Sequence, residues 1–182
     1  QLRIEADGTQ AAGLTHGGFY AHFDSKDALT MEAFAAALSD GRARFDKRMA
    51  RTKTASNFEA LLDIYLAPEH RDLQANGCAI ATLSPDMRHA SRAVREQYAK
   101  GLTVFVTWVA TMIEAPSDEA RMDQAYAVTS ALAGAIVLAR ATADRKQSDA
   151  ILAATVLQNG GKLVTQNVKH YPMPDLVVEK GW

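Results

Sequence analysis

The sequence predicts an all-α protein, in which a partial N-terminal helix–turn–helix is joined to a larger helical bundle. Alanine is abundant and strand-like alternation is nearly absent. Apolar residues recur every three or four positions through several long segments, the period of a helix with one buried face. Residues 12–29 add the outline of a short helix held between two turns. The chain has 182 residues, 48% of them hydrophobic, enough to bury one substantial core, or a small domain fused to a larger one.

The first elements follow from a few residues. Gly13 can take the left-handed conformation that ends a helix. Thr15 can cap the next helix, its hydroxyl accepting a bond from a free N–H of the first turn. Phe19 and Phe23 stand four apart, share one face and suit docking on neighbouring helices. His16, Gly17, Tyr20 and Lys26 are then left for something outside the core. Asp24 or Ser25 caps the helix that follows, with Asp27 near its positive end. In a helix–turn–helix reader the second helix lies in the DNA major groove with its N-terminal side chains toward the base edges.

The downstream helices can be bracketed in order. Residues 25–53 form a long helix with Leu29, Phe34, Leu38, Phe45 and Met49 as apolar members. Residues 57–66 stop before Pro68, because proline disfavours helix at the residue before it. An apolar piece runs from Gly77 through Leu83, and Ser84-Pro85 reads as a cap with proline at the first helical position. Residues 90–114 carry Val94, Tyr98, Leu102, Phe105, Val109 and Met112, spaced mainly by three and four. Pro116-Ser117 breaks and recaps the chain. Helices over 117–143 and 148–166 follow, joined around Asp144-Arg145-Lys146. The tail 169–182 has no helical pattern and reads as a flexible end, an appended remnant or a strand-like arm. No internal repeat is evident.

The head closely resembles the DNA-binding signature of the tetracycline-repressor (TetR) family. The matching elements are Ala12-Gly13-Leu14-Thr15, Phe19-Tyr20-Ala21-His22-Phe23 and Ser25-Lys26-Asp27-Ala28-Leu29. The match is ungapped over about eighteen residues; the rest of the chain is similar to the family as an all-helical partner domain of suitable length. The resemblance implies phosphate contacts at Thr15, Tyr20 and Lys26, and base-facing positions at His16, Gly17, Gly18 and His22. A phenol and an ammonium suit phosphate oxygens, which position a protein without reading sequence. Paired glycines admit close backbone approach, at about 1 kcal/mol of helix propensity each. Family members carry a complete first helix and a fuller second helix upstream, so an N-terminally incomplete head is expected. Residues 1–30 hold Arg3 and Lys26 against Glu5, Asp7, Asp24 and Asp27, an acidic balance that opposes counterion release on DNA.

The resemblance also divides the chain, into a partial DNA-binding domain over 1–45, a ligand-binding and dimerisation domain over 46–168, and the tail. Residues 130–139 are apolar nearly all round, so that helix must be buried on more than one side. Its Ala, Ser and Gly side chains allow close approach of another helix. In the family the last two long helices pair across a two-fold axis, which implies a homodimer through Leu132, Ile136, Val137, Leu152, Thr155 and Val156 and a palindromic operator. A central helix of a monomeric bundle is the plainer reading of the same residues. Phe58, Tyr65, Met87, Tyr98, Phe105, Trp108, Met112 and Tyr126 can line an apolar pocket with a few polar handles, which the family uses for a small-molecule effector. Ordinary core is the alternative for each.

The expected function is a ligand-responsive transcriptional regulator, a repressor released from double-stranded operator DNA by a small apolar or amphipathic ligand. A helical protein-interaction module with a vestigial head is the alternative. The basic run Arg42, Arg44, Lys47, Arg48, Arg51 and Lys53 reads as a solvated face that complements a helix C-terminus. Net charge is −1, which by itself points to neither nucleic acid nor membrane. The lone Cys78 allows no intramolecular disulfide, suits a reducing cytoplasm, and reads as a buried structural thiol. No charge-free run of eighteen apolar residues and no signal peptide pattern is visible, so no membrane partner is expected. No enzyme is expected either. The five histidines are dispersed, and His16 and His22 lie about 240° apart round a helix. No zinc spacing, phosphate loop, nucleophile elbow or paired-carboxylate motif is present, and no metal or cofactor is implied.

Overall fold

A computed structural model describes residues 23–54, 56–73, 77–160, 163–165 and 178–180. Seven α-helices follow one another: α1 Lys26–Met49, α2 Asn57–Tyr65, α3 Pro68–Asp72, α4 Ala79–Leu83, α5 Arg92–Ala110, α6 Asp118–Ala141 and α7 Arg145–Gln158. A 3-10 turn, Ser84–His89, joins α4 to α5. Strands β1 Leu163–Thr165 and β2 Val178–Lys180 form a small parallel ladder, with Leu163 opposite Val178 and Thr165 opposite Lys180. The fold class is all-α.

Serine sets most of the long helices' starting points. Ser25, Ser56, Ser91 and Ser117 each accept a hydrogen bond from the backbone N–H three residues on, at Ala28, Glu59, Val94 and Ala120. Each such cap stabilises its helix by about 1 kcal/mol over alanine. Pro68 is the first residue of α3, where its missing N–H costs nothing. The helix before it stops ahead of Pro68, as the sequence reading expects, and the short helix that Pro68 opens was not read from the sequence.

The largest boundary correction concerns α7. Asp144 is the cap, accepting from Lys146 N–H, so the helix begins at Arg145 rather than at Ser148. It ends at Gln158, not at residue 166. Gly160 at φ 71° takes the left-handed backbone that closes a helix, and residues 163–165 are strand. Of the tail, Val178–Lys180 is the paired strand β2; residues 169–177 and 181–182 lie outside the described residues.

The core gathers on α2, α5, α6 and α7. Leu61, Leu62, Leu66, Val106, Val109, Leu132, Ile136, Leu152 and Val156 are fully buried. Each large aliphatic side chain placed there contributes about 1.5–3 kcal/mol. The α6 helix is central and packs on α5, α7 and α4. Helix α1 lies across α5 where Gly101 leaves room: a Cβ there would sit 2.4 Å from Leu38 Cδ1 and 2.7 Å from Phe34 Cε1. The aromatic ring of Phe34 stacks on Tyr98 at 5.4 Å.

Candidate functional site

The described residues begin just ahead of α1. Lys26 is the first residue of that helix and is exposed, directly after the Ser25 cap. Thr15, His16, Gly17, Gly18, Tyr20 and His22 lie outside the described residues. The first turns of α1 face the end of the 3-10 turn and the start of α5 across a groove of about 190 Å³. Lys26, Asp27 and Thr30 form one wall, and Asp86, His89 and Ser91 the other.

The interior holds a continuous aromatic cluster. Phe45 stacks on Tyr65 at 5.6 Å and meets Trp108 at 6.0 Å. Phe105 meets Trp108 edge-on at 5.4 Å, and His70 meets Tyr65 at 4.6 Å. Arg42 lies over the Trp108 ring at 4.4 Å while pairing with Asp46, a cation held against a π face. Of the eight residues expected to line a pocket, Tyr65, Phe105 and Trp108 are brought together in this cluster. Met87 is buried; Phe58, Tyr98 and Met112 are partly buried and pack against the core. Tyr126 is not among them. It is 46% exposed on the outer side of α6, because Ala125 and Thr129 hold the inward positions of that turn. None of the eight lines the α1 groove or the polar basin at the α6–α7 turn described below.

Polar atoms inside the cluster fall into two kinds. His70 is satisfied: the backbone N–H of Cys78 donates to Nε2 at 2.9 Å, so Nδ1 carries the proton and donates to the Tyr65 carbonyl at 2.6 Å. Burial lowers the His70 pKa from 6.5 to about 4, and the nearby charges of Arg140 and Arg48 push the same way. The Tyr65 hydroxyl is fully buried against the Cys78 thiol, a weak hydrogen-bond partner, and Thr129 Oγ1 is buried with no hydrogen-bond partner among the described residues. Burial, with the adjacent Cys78 thiol, raises the Tyr65 pKa well above its ordinary value. Tyr98 is better served, its hydroxyl 2.5 Å from Ser84 Oγ. Cys78 is itself buried. Sequence reasoning missed the parts played by His70 and Phe45. The Glu69-His70 pair gave no sign that both ring nitrogens close bonds between helix ends.

The six residues expected at a dimer interface divide sharply. Leu132, Ile136, Leu152 and Val156 are fully buried within a single chain. They face their own core and have no surface to offer a second copy, which corrects that part of the expectation. Val137 and Thr155 are half-buried. The outward side of α6 instead carries Tyr126, Ala127, Ser130, Ala131 and Leu138, with Leu138 60% exposed. By length and composition α6 could cross a membrane, with 33% of its most apolar window buried. Its inward face is nonetheless part of the bundle core.

The basic run on α1 is exposed at Arg44, Lys47, Arg48 and Arg51. The last turn holds Lys47 and Arg48, the arrangement that favours a helix's negative end.

No family model matches the sequence, and no curated protein matches it. A solved structure does. The transcriptional regulator of the TetR family from Cytophaga hutchinsonii superposes with a TM-score of 0.64 at 19% identity, over 81% of this chain and 78% of that one. The chain has a TetR-type fold. The likeness reaches well beyond the eighteen-residue head signature and takes in most of the helical bundle. Among the described residues of this TetR-type fold, α1 comes first, and α6 and α7 are the last two long helices.

Proposed function

We propose that the protein is a DNA-binding transcriptional regulator, a repressor that holds a palindromic operator as a dimer and leaves it when a small ligand binds the bundle. The observation that carries this reading is the conjunction of two independent likenesses. The head signature over residues 12–29 is one, and the TetR-type fold of the bundle is the other. In this reading residues 1–45 belong to the DNA-binding domain, with Thr15, Tyr20 and Lys26 on phosphates and His16, Gly17, Gly18 and His22 toward bases. Residues 46–168 form the ligand-binding and dimerisation domain. The working compartment is the cytoplasm, where the DNA is.

The ligand reading is supported by the aromatic cluster and the buried hydroxyls of Tyr65 and Thr129. An apolar ligand with one polar group would gain at Thr129 a bond the described residues leave unmade, and could replace the weak thiol partner of Tyr65. The dimer reading is supported by the small-residue outward face of α6, which admits close helix approach. A ligand releases DNA by binding better to the conformation whose two heads are wrongly spaced, and the loss of DNA affinity equals that difference.

The test is a mobility-shift and salt-titration experiment with the full-length protein and DNA from its own upstream region. Tyr20→Ala and Lys26→Ala should each weaken specific binding and lower the salt slope by about 1. Binding indifferent to both substitutions overturns the placement of the head. A stable complex with another protein, in the absence of any DNA affinity, favours the interaction-module reading instead.

A further inference from the structure

A second polar site lies at the turn between α6 and α7, joined to the edge of the aromatic cluster through Arg140 and the His70 carbonyl. Arg71 and Asp72 of α3, Arg140 of α6, and Arg145 and Ser148 of α7 line a basin of about 280 Å³. Its lining holds three arginines against one aspartate. Asp149 stands behind it, buried and 2.6 Å from Arg71 Nη1.

The acceptors in this cluster are already used. Arg71 is 3% exposed and donates to Asp149, to Ser148 at 2.9 Å and to Asp72 at 2.7 Å. Ser148 donates onward to the Ala139 carbonyl at 2.7 Å. Asp72 also accepts both Nη groups of Arg145, at 3.2 and 2.9 Å. The donors are not used up. Arg140 donates to the Arg71 carbonyl at 3.0 Å, the His70 carbonyl at 2.9 Å and the Thr82 hydroxyl at 3.2 Å, all neutral oxygens. A guanidinium has five N–H groups, so both terminal nitrogens of Arg140 keep an unspent donor. No carboxylate among the described residues pairs with its charge at ion-pair distance, Asp72 acting on it from farther off, although it is half-buried. Desolvation lowers its pKa, the mark of a cation short of counter-charge.

The helix start adds to the imbalance. The first turn of α7 holds Arg145 and Lys146, and one carboxylate, the Asp144 cap, meets the positive end of the helix. Two cations there stand against that single anion. Surplus donors, surplus positive charge and a half-open space below the usual 300–1,000 Å³ of larger ligands define a small acceptor-rich guest.

We propose that this basin binds a small oxyanion-bearing molecule, its phosphate or carboxylate held by the free N–H groups of Arg140 and Arg145. Forked guanidinium donors match both groups in geometry and charge. This site stands on its own residues and does not rest on the DNA-binding reading.

The experiment is calorimetric titration of the full chain with inorganic phosphate and, separately, with malonate, at ionic strength held constant with sodium chloride. Saturable binding of one anion per chain at millimolar concentration or tighter is expected, and the stronger of the two identifies the preferred group. Arg145→Gln, on an exposed side chain, should weaken it about tenfold with the ligand-free melting temperature unchanged. Arg145→Lys keeps the charge, loses the fork and should weaken it less. Arg92→Gln, which breaks an exposed pair with Glu96 on α5, should have no effect. No saturable heat from either anion, or equal binding by wild type and Arg145→Gln, overturns the proposal.

Discussion

His70 illustrates how one imidazole fixes several helix ends. Its two bonds tie the last residue of α2 to the residue that precedes α4. Protonation would turn Nε2 into a donor facing the Cys78 N–H, two hydrogens meeting in a buried site. The linkage has a definite sign. A folded pKa of about 4 lies below the unfolded 6.5, so the unfolded chain binds the proton more readily. The contribution is full above pH 6.5 and is lost as pH falls toward 4. Urea melts at pH 7.5 and pH 4.5 should therefore differ by about 2–3 kcal/mol from this group; a flat profile would contradict the assignment. Tyr65 supports a second prediction. The buried hydroxyl meets the Cys78 thiol, a weak partner, so Tyr65→Phe should keep stability within about 1 kcal/mol. It should nonetheless blunt the effect of ligand on DNA release, read in the same mobility-shift assay. Sequence reasoning gave Tyr65 as an aromatic that lines a pocket, with ordinary core as the alternative. The satisfaction of His70 was illegible, because its partners, a carbonyl five residues back and an amide eight residues on, carry no side-chain signature.

Helices were legible where their punctuation is chemical. Ser25 and Ser117 were read as hydroxyl caps and serve as such, whereas the caps at Ser56 and Ser91 went unread although their apolar periods placed the helices. The end of α7 was not legible, since Val164 and Thr165 continue an apolar run that fits helix or strand equally. Gly160 was the available signal, and its positive φ shows why the run does not continue as helix. Tertiary closeness was also hidden. Gly101 reads as an ordinary weak point in α5, yet it is where Phe34 and Leu38 of α1 approach most tightly. Gly101→Val should destabilise the fold by about 1–3 kcal/mol through overpacking, and should displace α1 from α5. Denaturant melts measure the first effect; loss of operator affinity at unchanged oligomeric state would report the second.

At the scale of the molecule, α6 has two unlike sides. Leu132 is sealed in the core, and Leu138 stands 60% exposed on the outer face. Leu132→Ala should cost about 2–5 kcal/mol of unfolding free energy by leaving a cavity. Leu138→Glu should leave the core intact and shift the protein from dimer to monomer in sedimentation equilibrium. A monomer in both wild type and variant would reject the α6 face as an interface. The sequence pattern identified the helix as apolar all round but could not assign its sides, because alanine and leucine occur on both. An outer face that closes against a twin makes subunit concentration a thermodynamic variable of the fold. Diluting such a protein should lower its melting temperature, and regulators at scarce copy number would then be held folded in part by their operators, which gather two chains at one address.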